Sequence, residues 1–541
     1  YDLAIKAPLT ASYHGLVSEV NALYLAETIR RLMINEYGLQ AYKEGFEVYT
    51  TLDSRLQNQA VESVKSGLEN YDKRHGFRAP ESLLSLFPED FFQEDISLIL
   101  DNVNSKKTLP LGISEVPKEE PLEKVYGALQ ELTTTDNKFP GVVLSVAEKL
   151  HVLASDREFF ILPWSDNLAW ARPYINEDQR GSRPKNYNDL LKEGDLIWLE
   201  KNKVNSSLSL TQIPDVQGSL VAMDPQTGKV KALVGGYDFF LSKFDRATQS
   251  YPLLGSNFKP FLYASALSEG LTASSLINDA PIVFEDKALE DKWRPRNASG
   301  RFYGPTRIRE GLLQSRNLVS IRLLREIGIE KVRTYVERFG FTSNALPSDL
   351  SLALGTATMS PLQNASAYSV FANGGKSVKP YFIEKIVNRF GEIVFEREEK
   401  EIDQAIDPRI AFIIQDILQE AAKRGTAKKV SELKRADLAG KTGTTNEAES
   451  TWFTGFNDSL VTSVWVGFDQ PKSLGSREFG SSTALPIWMD FIESHLDNLP
   501  INRSIPPQGL VSIKIDKDSG QRTGERTKNS IFEYFLEEYV P

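Results

Sequence analysis

The chain has 541 residues, a net charge of −10, no cysteine and four histidines. That length exceeds one ordinary core and calls for about three packed units. The acidic balance argues against non-specific nucleic-acid binding, and the missing cysteines exclude disulfides, thiolate nucleophiles and Cys-based metal sites. His14, His75, His151 and His495 lie far apart, so neither a metal centre nor a Ser-His-Asp triad is expected, and no cofactor is implied. A serine nucleophile here needs another base, for which lysine is the usual alternative. No apolar run approaches the ~20 residues that span a bilayer. The chain opens at Tyr1 without an initiator methionine and reads as a piece of something longer.

Residues 1–75 read as a linker region with an amphipathic helix near Ala22–Tyr37. A leading helix follows, capped by Asp53, with Leu56, Ala60, Val61, Val64 and Leu68 at helical period. Residues 76–214 read as a β-rich insert. Alternating strands at Gly141–Ala147, His151–Ala154, Phe159–Leu162, Asp195–Glu200 and Ser207–Gln212 fit a small OB-like barrel. It lacks a basic stripe, so a packing or partner-docking role is expected and nucleic-acid binding is not. Residues 215–500 read as an α+β domain. It opens with a hairpin, Ser219–Met223 and Lys229–Val234 around Asp224–Gly228. A long helical stretch from about 256 to 375, a hairpin at 381–397 and a hairpin of Trp452–Phe456 with Leu460–Phe468 complete it. Helices between sheet-forming segments predict an antiparallel sheet with flanking helices. Residues 501–541 read as a short polar tail with one strand-like stretch, Gly509–Ile515.

Three short motifs occur in one order: Ser256-Asn257-Phe258-Lys259, Ser315-Arg316-Asn317 and Lys441-Thr442-Gly443-Thr444-Thr445. Singly each is weak. Ser-x-x-Lys recurs at Ser182/Lys185 and Ser431/Lys434, and Ser165-Asp166-Asn167 sits in the β-rich region. Context selects Ser256, which follows Pro252 and Gly255 and opens an apolar helical run of Phe258, Phe261, Leu262, Ala264 and Leu267. Ser256 therefore sits at a helix N-terminus with Lys259 beside it on the same face. A serine hydroxyl needs an adjacent base to attack a carbonyl. A lysine serves only when burial or a second cation lowers its pKa, and Lys441 is a candidate for that cation. The backbone N–H groups of Ser256 and Thr444 are candidates for an oxyanion hole. Ser315 and Asn317 can relay a proton and hold a substrate amide. Lys441–Thr445 fits an edge strand lining a cleft. There Gly443 allows close approach, and Thr442, Thr444 and Thr445 are candidates to bind a substrate carboxylate.

This motif set resembles that of penicillin-binding proteins. The likeness extends to Gly218–Gly236, Phe244–Tyr263, Leu352–Gly375, Lys441–Phe456 and the approach Phe46–Leu56, and the chain resembles the class A proteins of the 1a kind. The resemblance implies a DD-transpeptidase that forms an acyl-enzyme on the penultimate D-Ala of a peptidoglycan stem peptide and releases D-Ala. It implies a periplasmic location, a parent held in the inner membrane by an N-terminal helix, acylation by β-lactams, and accessory cell-wall partners for the insert. Carried over, Ser256 is the nucleophile, Lys259 its base, and Ser315, Asn317, Lys441, Thr442, Gly443, Thr444 and Thr445 shape the site. The glycosyltransferase signature of that class is not found in these residues, so glycan polymerisation is not expected of them. Arg316 also departs from the Asp of β-lactamases. A β-lactamase would need a water-activating carboxylate, and Glu384-x-x-x-Asn388, which mimics the spacing, falls inside a predicted hairpin.

Overall fold

The computed structural model describes residues 18–87, 120–135, 137–155, 158–202, 207–282, 294–398, 401–496, 499–524 and 527–541. His14 lies outside them, as do parts of the first two predicted segments. Helix α1 spans Leu23–Tyr37, strand β1 Glu47–Thr50 and helix α2 Ser54–His75. The Asp53 carboxylate accepts from the Leu56 N–H at 3.0 Å and caps α2. Lys73, Arg74 and His75 fill its last turn, where the helix dipole favours cations.

The insert contains α3 (Glu120–Gln130), β2 (Lys138–Val146), β3 (Lys149–Ala154), β4 (Phe159–Pro163), β5 (Tyr174–Asn176), β6 (Gln179–Arg180), β7 (Leu196–Lys201) and β8 (Leu208–Thr211). Its main sheet runs β4-β3-β2-β7-β8, all antiparallel. Val143, Leu150, Val152, Ile197 and Leu199 fill one of its cores. Lys138 on β2, fully buried, pairs with Glu69 of α2 at 2.6 Å and ties the insert to the rest.

The third unit begins with β9 (Gln217–Met223), β10 (Val230–Val234) and α4 (Lys259–Ser268). Next come β11 (Leu276–Asp279), β12 (Gly304–Arg307), α5 (Ile308–Leu313), α6 (Asn317–Ile327), α7 (Ile329–Val336) and α8 (Pro361–Ala372). Then follow β13 (Ile383–Val387), β14 (Ile393–Glu396), α9 (Pro408–Arg424), β15 (Ala439–Thr444), β16 (Ser450–Phe456), β17 (Val461–Gly467) and α10 (Ala484–Leu496). The central sheet has the order β10-β9-β17-β16-β15 and is antiparallel throughout. Helices α2 and α10 cover one face through Leu56, Ala60, Leu68, Trp488 and Phe491. Helices α4, α8 and α9 cover the other through Phe261, Tyr368 and Ile414. Covered on both faces, β16 and β17 are buried at every residue, which is why their sequences do not alternate cleanly. Among the described residues no helix is long and apolar enough to cross a membrane.

Three expectations change. Residues 256–375 are not continuously helical: β11 and β12 form an antiparallel hairpin inside them. The linker contributes β1 to a small sheet with the predicted 381–397 hairpin, in the order β1-β13-β14. The tail is a full hairpin, β18 (Leu510–Asp516) and β19 (Ser530–Leu536). It is anchored by fully buried Glu533, which accepts from Arg309 Nε of α5 at 2.7 Å. In β11 and β19 inward positions hold Asp279 and Glu533, and a carboxylate there hides the apolar alternation that marks a strand.

Candidate active site

Gly255–Phe258 form a tight 3₁₀ turn that runs directly into α4, with Pro260 in the first turn where its missing N–H costs nothing. The first N–H groups of such a helical segment lack intrahelical partners, and that of Ser256 is among them. The turn is fastened to β15 and β16. The Asn257 Nδ2 donates to the Lys441 carbonyl at 2.9 Å, Asn257 Oδ1 accepts from Asn364 and Thr454, and Trp452 Nε1 donates to the Leu253 carbonyl at 2.9 Å.

Strand β15 is the sheet edge, and its alternation divides the third motif. Lys441 and Gly443 share one side, Thr442 and Thr444 the other. Thr445 and Ser450 form a hydrogen-bonded pair, the Thr445 N–H donating to the Ser450 carbonyl at 3.1 Å. In an antiparallel ladder the next residue, Thr444, then turns its N–H away from β16, which aims it outward from the sheet edge. Gly443 does not line the cleft. A Cβ there would lie 2.8 Å from the Leu254 carbonyl and 2.9 Å from Asn257 Cβ. The close approach it permits is that of the serine's own turn, not of substrate.

Ser315 joins α5 to α6 with φ of 55°, a left-handed conformation that costs a non-glycine residue about 1–3 kcal/mol and is typical of functional sites. The Ser315 Oγ lies 3.3 Å from Lys259 Nζ and 2.9 Å from Lys441 Nζ, so one hydroxyl bridges both amines. Lys259 Nζ also donates to the Ser315 carbonyl and to Asn317 Oδ1, both at 2.7 Å. Lys441 Nζ donates to the Thr442 carbonyl at 2.8 Å. Both lysines are fully buried and neither has a carboxylate partner among the described residues. Burial, reinforced by the neighbouring Lys441 charge, holds the Lys259 amine well below the usual lysine range. Burial alone pushes Lys441 down to about 7.

Ser256, Ser315, Asn317, Thr442, Thr444 and Thr445 line one cleft of about 480 Å³, with Lys259 and Lys441 buried behind it. The three motifs therefore meet. Thr442 Oγ1 shares a hydrogen bond with Thr426 Oγ1 at 2.8 Å, and Thr444 Oγ1 accepts from the Gly480 N–H at 3.0 Å. Each keeps capacity for a ligand. The sequence reading missed Thr426, Phe479, Gly480 and the 294–303 loop, which lie on the same cleft or border it. In that loop Asn297 accepts from the Asn317 N–H at 2.9 Å through its side-chain oxygen. None carries a motif; only the fold brings them in. Glu384 sits on β13, paired with Lys229 at 2.7 Å, and is not among the cleft residues.

The family models agree with this architecture. The penicillin-binding protein transpeptidase domain matches residues 218–493, and the penicillin-binding protein OB-like domain matches residues 111–216. The chain belongs to the penicillin-binding peptidoglycan transpeptidases. Within them it is of the penicillin-binding protein 1A kind. It is 37% identical to penicillin-binding protein 1A of Pseudomonas aeruginosa over 100% of this chain and 68% of that protein. It is 38% identical to the Neisseria gonorrhoeae protein of that name over 92% of this chain and 59% of the relative. The crystal structure of penicillin-binding protein 1A from Haemophilus influenzae superposes with a TM-score of 0.83 at 31% identity, over 100% of this chain and 79% of that one. The chain thus spans 59–68% of the length of these curated relatives.

Proposed function

We propose that these residues form a serine-type D-Ala-D-Ala transpeptidase, with Ser256 as nucleophile and a neutral Lys259 as its base. The observation that carries this is the Ser315 hydroxyl, within 3.3 Å of one depressed lysine and 2.9 Å of the other, in the cleft that Ser256 lines. The Ser256 hydroxyl gives its proton to Lys259 Nζ while Oγ bonds the carbonyl carbon of the penultimate D-Ala. The N–H groups of Ser256 and Thr444 hold the oxyanion. Collapse breaks the amide bond, and the departing D-Ala nitrogen takes a proton through Ser315. An amine of a neighbouring peptide then accepts the acyl group, or water does in a carboxypeptidase outcome. Lys441, Thr442 and Thr444 receive the terminal carboxylate, and Thr445 closes the strand end beside them. A β-lactam follows the same path, but its leaving nitrogen stays tethered. Among the described residues no Asp or Glu lines the cleft to activate water, which favours a long-lived adduct.

In this reading the chain works in the periplasm as part of an inner-membrane-anchored parent. These residues supply cross-linking without glycan polymerisation, and the OB-like insert docks accessory cell-wall proteins. Intact mass after labelled penicillin tests the chemistry. One stable adduct is expected on this chain and none on Ser256→Ala; an adduct on the variant would remove Ser256 from its role.

A further inference from the structure

Two residues outside the three motifs converge on the second of them. Asp279, at the end of β11, is fully buried, and among the described residues both of its side-chain oxygens accept from one group, Asn297 Nδ2, at 2.7 and 3.0 Å. Arg316 Nε stands 4.0 Å from Asp279 Oδ2, too far for a hydrogen bond. A buried acid is costly unless its partners satisfy it, and here that demand falls on the Asn297 amide. Asn297, buried in turn, spends its other atom on α6. Its Oδ1 accepts from the N–H groups of Asn317 and Leu318, at 2.9 and 3.4 Å. It thus caps a helix whose own N-cap residue, Arg316, makes no side-chain cap. The carbonyl of the preceding residue, Arg296, accepts from Asn317 Nδ2 at 2.8 Å. Main chain and side chain of Asn317 are both held by one dipeptide that Asp279 anchors.

A carbonyl only accepts, so the Arg296 contact decides which way the Asn317 amide faces. Its nitrogen meets the loop and its oxygen meets Lys259 Nζ, at 2.7 Å. The Ser315 carbonyl accepts from the same amine at 2.7 Å. A neutral amine has two N–H bonds and one lone pair. Two acceptors use up the N–H bonds and leave the lone pair for a hydroxyl, and the third polar neighbour of Lys259 is Ser315 Oγ, at 3.3 Å. With the Asn317 amide reversed, a donor would face the amine and compete for that lone pair. We propose that Asp279 and Asn297 are positioning residues of the transpeptidase, which through the Asn317 amide set the direction in which Lys259 presents its lone pair. This inference rests on the transpeptidase reading.

The test is saturation kinetics of labelled-penicillin acylation on the full chain, which separates affinity from the acylation rate constant. The labelled end point counts folded sites. Asn297→Asp keeps an acceptor for the Asn317 N–H but sets acceptor against acceptor at Asp279. Its acylation rate constant should fall about 10- to 100-fold, the usual cost of a small misalignment, with penicillin affinity nearly unchanged. Adding Asp279→Asn exchanges donor and acceptor, rebuilds the contact and should recover most of the loss. A lowered end point with an unmoved rate constant would make the pair merely structural and overturn the inference. A double variant no faster than Asn297→Asp alone would overturn it as well. Failure of penicillin to label the unaltered chain at all would instead overturn the transpeptidase reading, and this inference with it.

Discussion

Two buried cationic clusters in this chain show opposite uses of burial. Behind the cleft, Lys259 and Lys441 are fully buried with a shared hydroxyl, carbonyls and an amide as partners and no carboxylate among the described residues. At the C-terminal hairpin, Arg309 is just as buried but meets Glu533, Asp416 and Glu420, at 2.7, 2.6 and 2.9 Å. Burial would lower the pKa of Arg309, but these carboxylates hold it above its ordinary value. A buried cation without a counter-charge gives up its proton and becomes a base; one with a counter-charge becomes a clamp. The clamp grips α5, whose end leads straight into Ser315, so the second cluster supports the first through the backbone.

The sharpest way to break the comparison is Lys259→Ala. Loss of a general base typically costs 10²–10⁴ in rate. Penicillin acylation should fall by about that factor while the thermal midpoint holds or rises, because a costly buried amine has gone. Unchanged acylation would remove Lys259 from its role. The clamp should behave in the reverse manner. Glu533→Ala strips Arg309 of its main partner, and breaking a buried pair from one side costs about 3–5 kcal/mol. Denaturant unfolding should show that loss. If Glu533→Ala left stability unchanged, the two clusters would not differ as argued.

A smaller effect sharpens the electrostatics. Lys441 has a pKa of about 7 when folded, against an ordinary 10.5. Between those values the unfolded chain binds the extra proton, so this group makes stability rise with pH across that window. Lys441→Met should flatten the rise when stability is measured from pH 7 to 10. Lys259 adds a rise of its own, so the slope shrinks without vanishing.

The frame of the fold was legible because most strands and helices obey simple periods. The leading helix with its Asp53 cap and the strands of the insert needed no tertiary knowledge. The three motifs were legible for a different reason: the chemistry demands those side chains in that order. What stayed hidden depends on tertiary neighbours that no local pattern records. Strands β11 and β19 put Asp279 and Glu533 at inward positions, where a pattern reader expects an apolar residue, and the pairing that permits this comes from distant segments. Gly443 was misplaced because a sequence shows that a glycine admits a close neighbour but not which one. The 294–303 loop, which carries Arg296, Asn297 and Tyr303, has no period and no motif.

The pH dependence of penicillin acylation tests the central claim most directly, because it reads the protonation of the base in the working enzyme. With Lys259 neutral well below the ordinary lysine range, the rate should reach its plateau well short of the pH at which an ordinary lysine loses its proton. A rate that kept climbing to pH 10, as for an unperturbed lysine, would contradict the account.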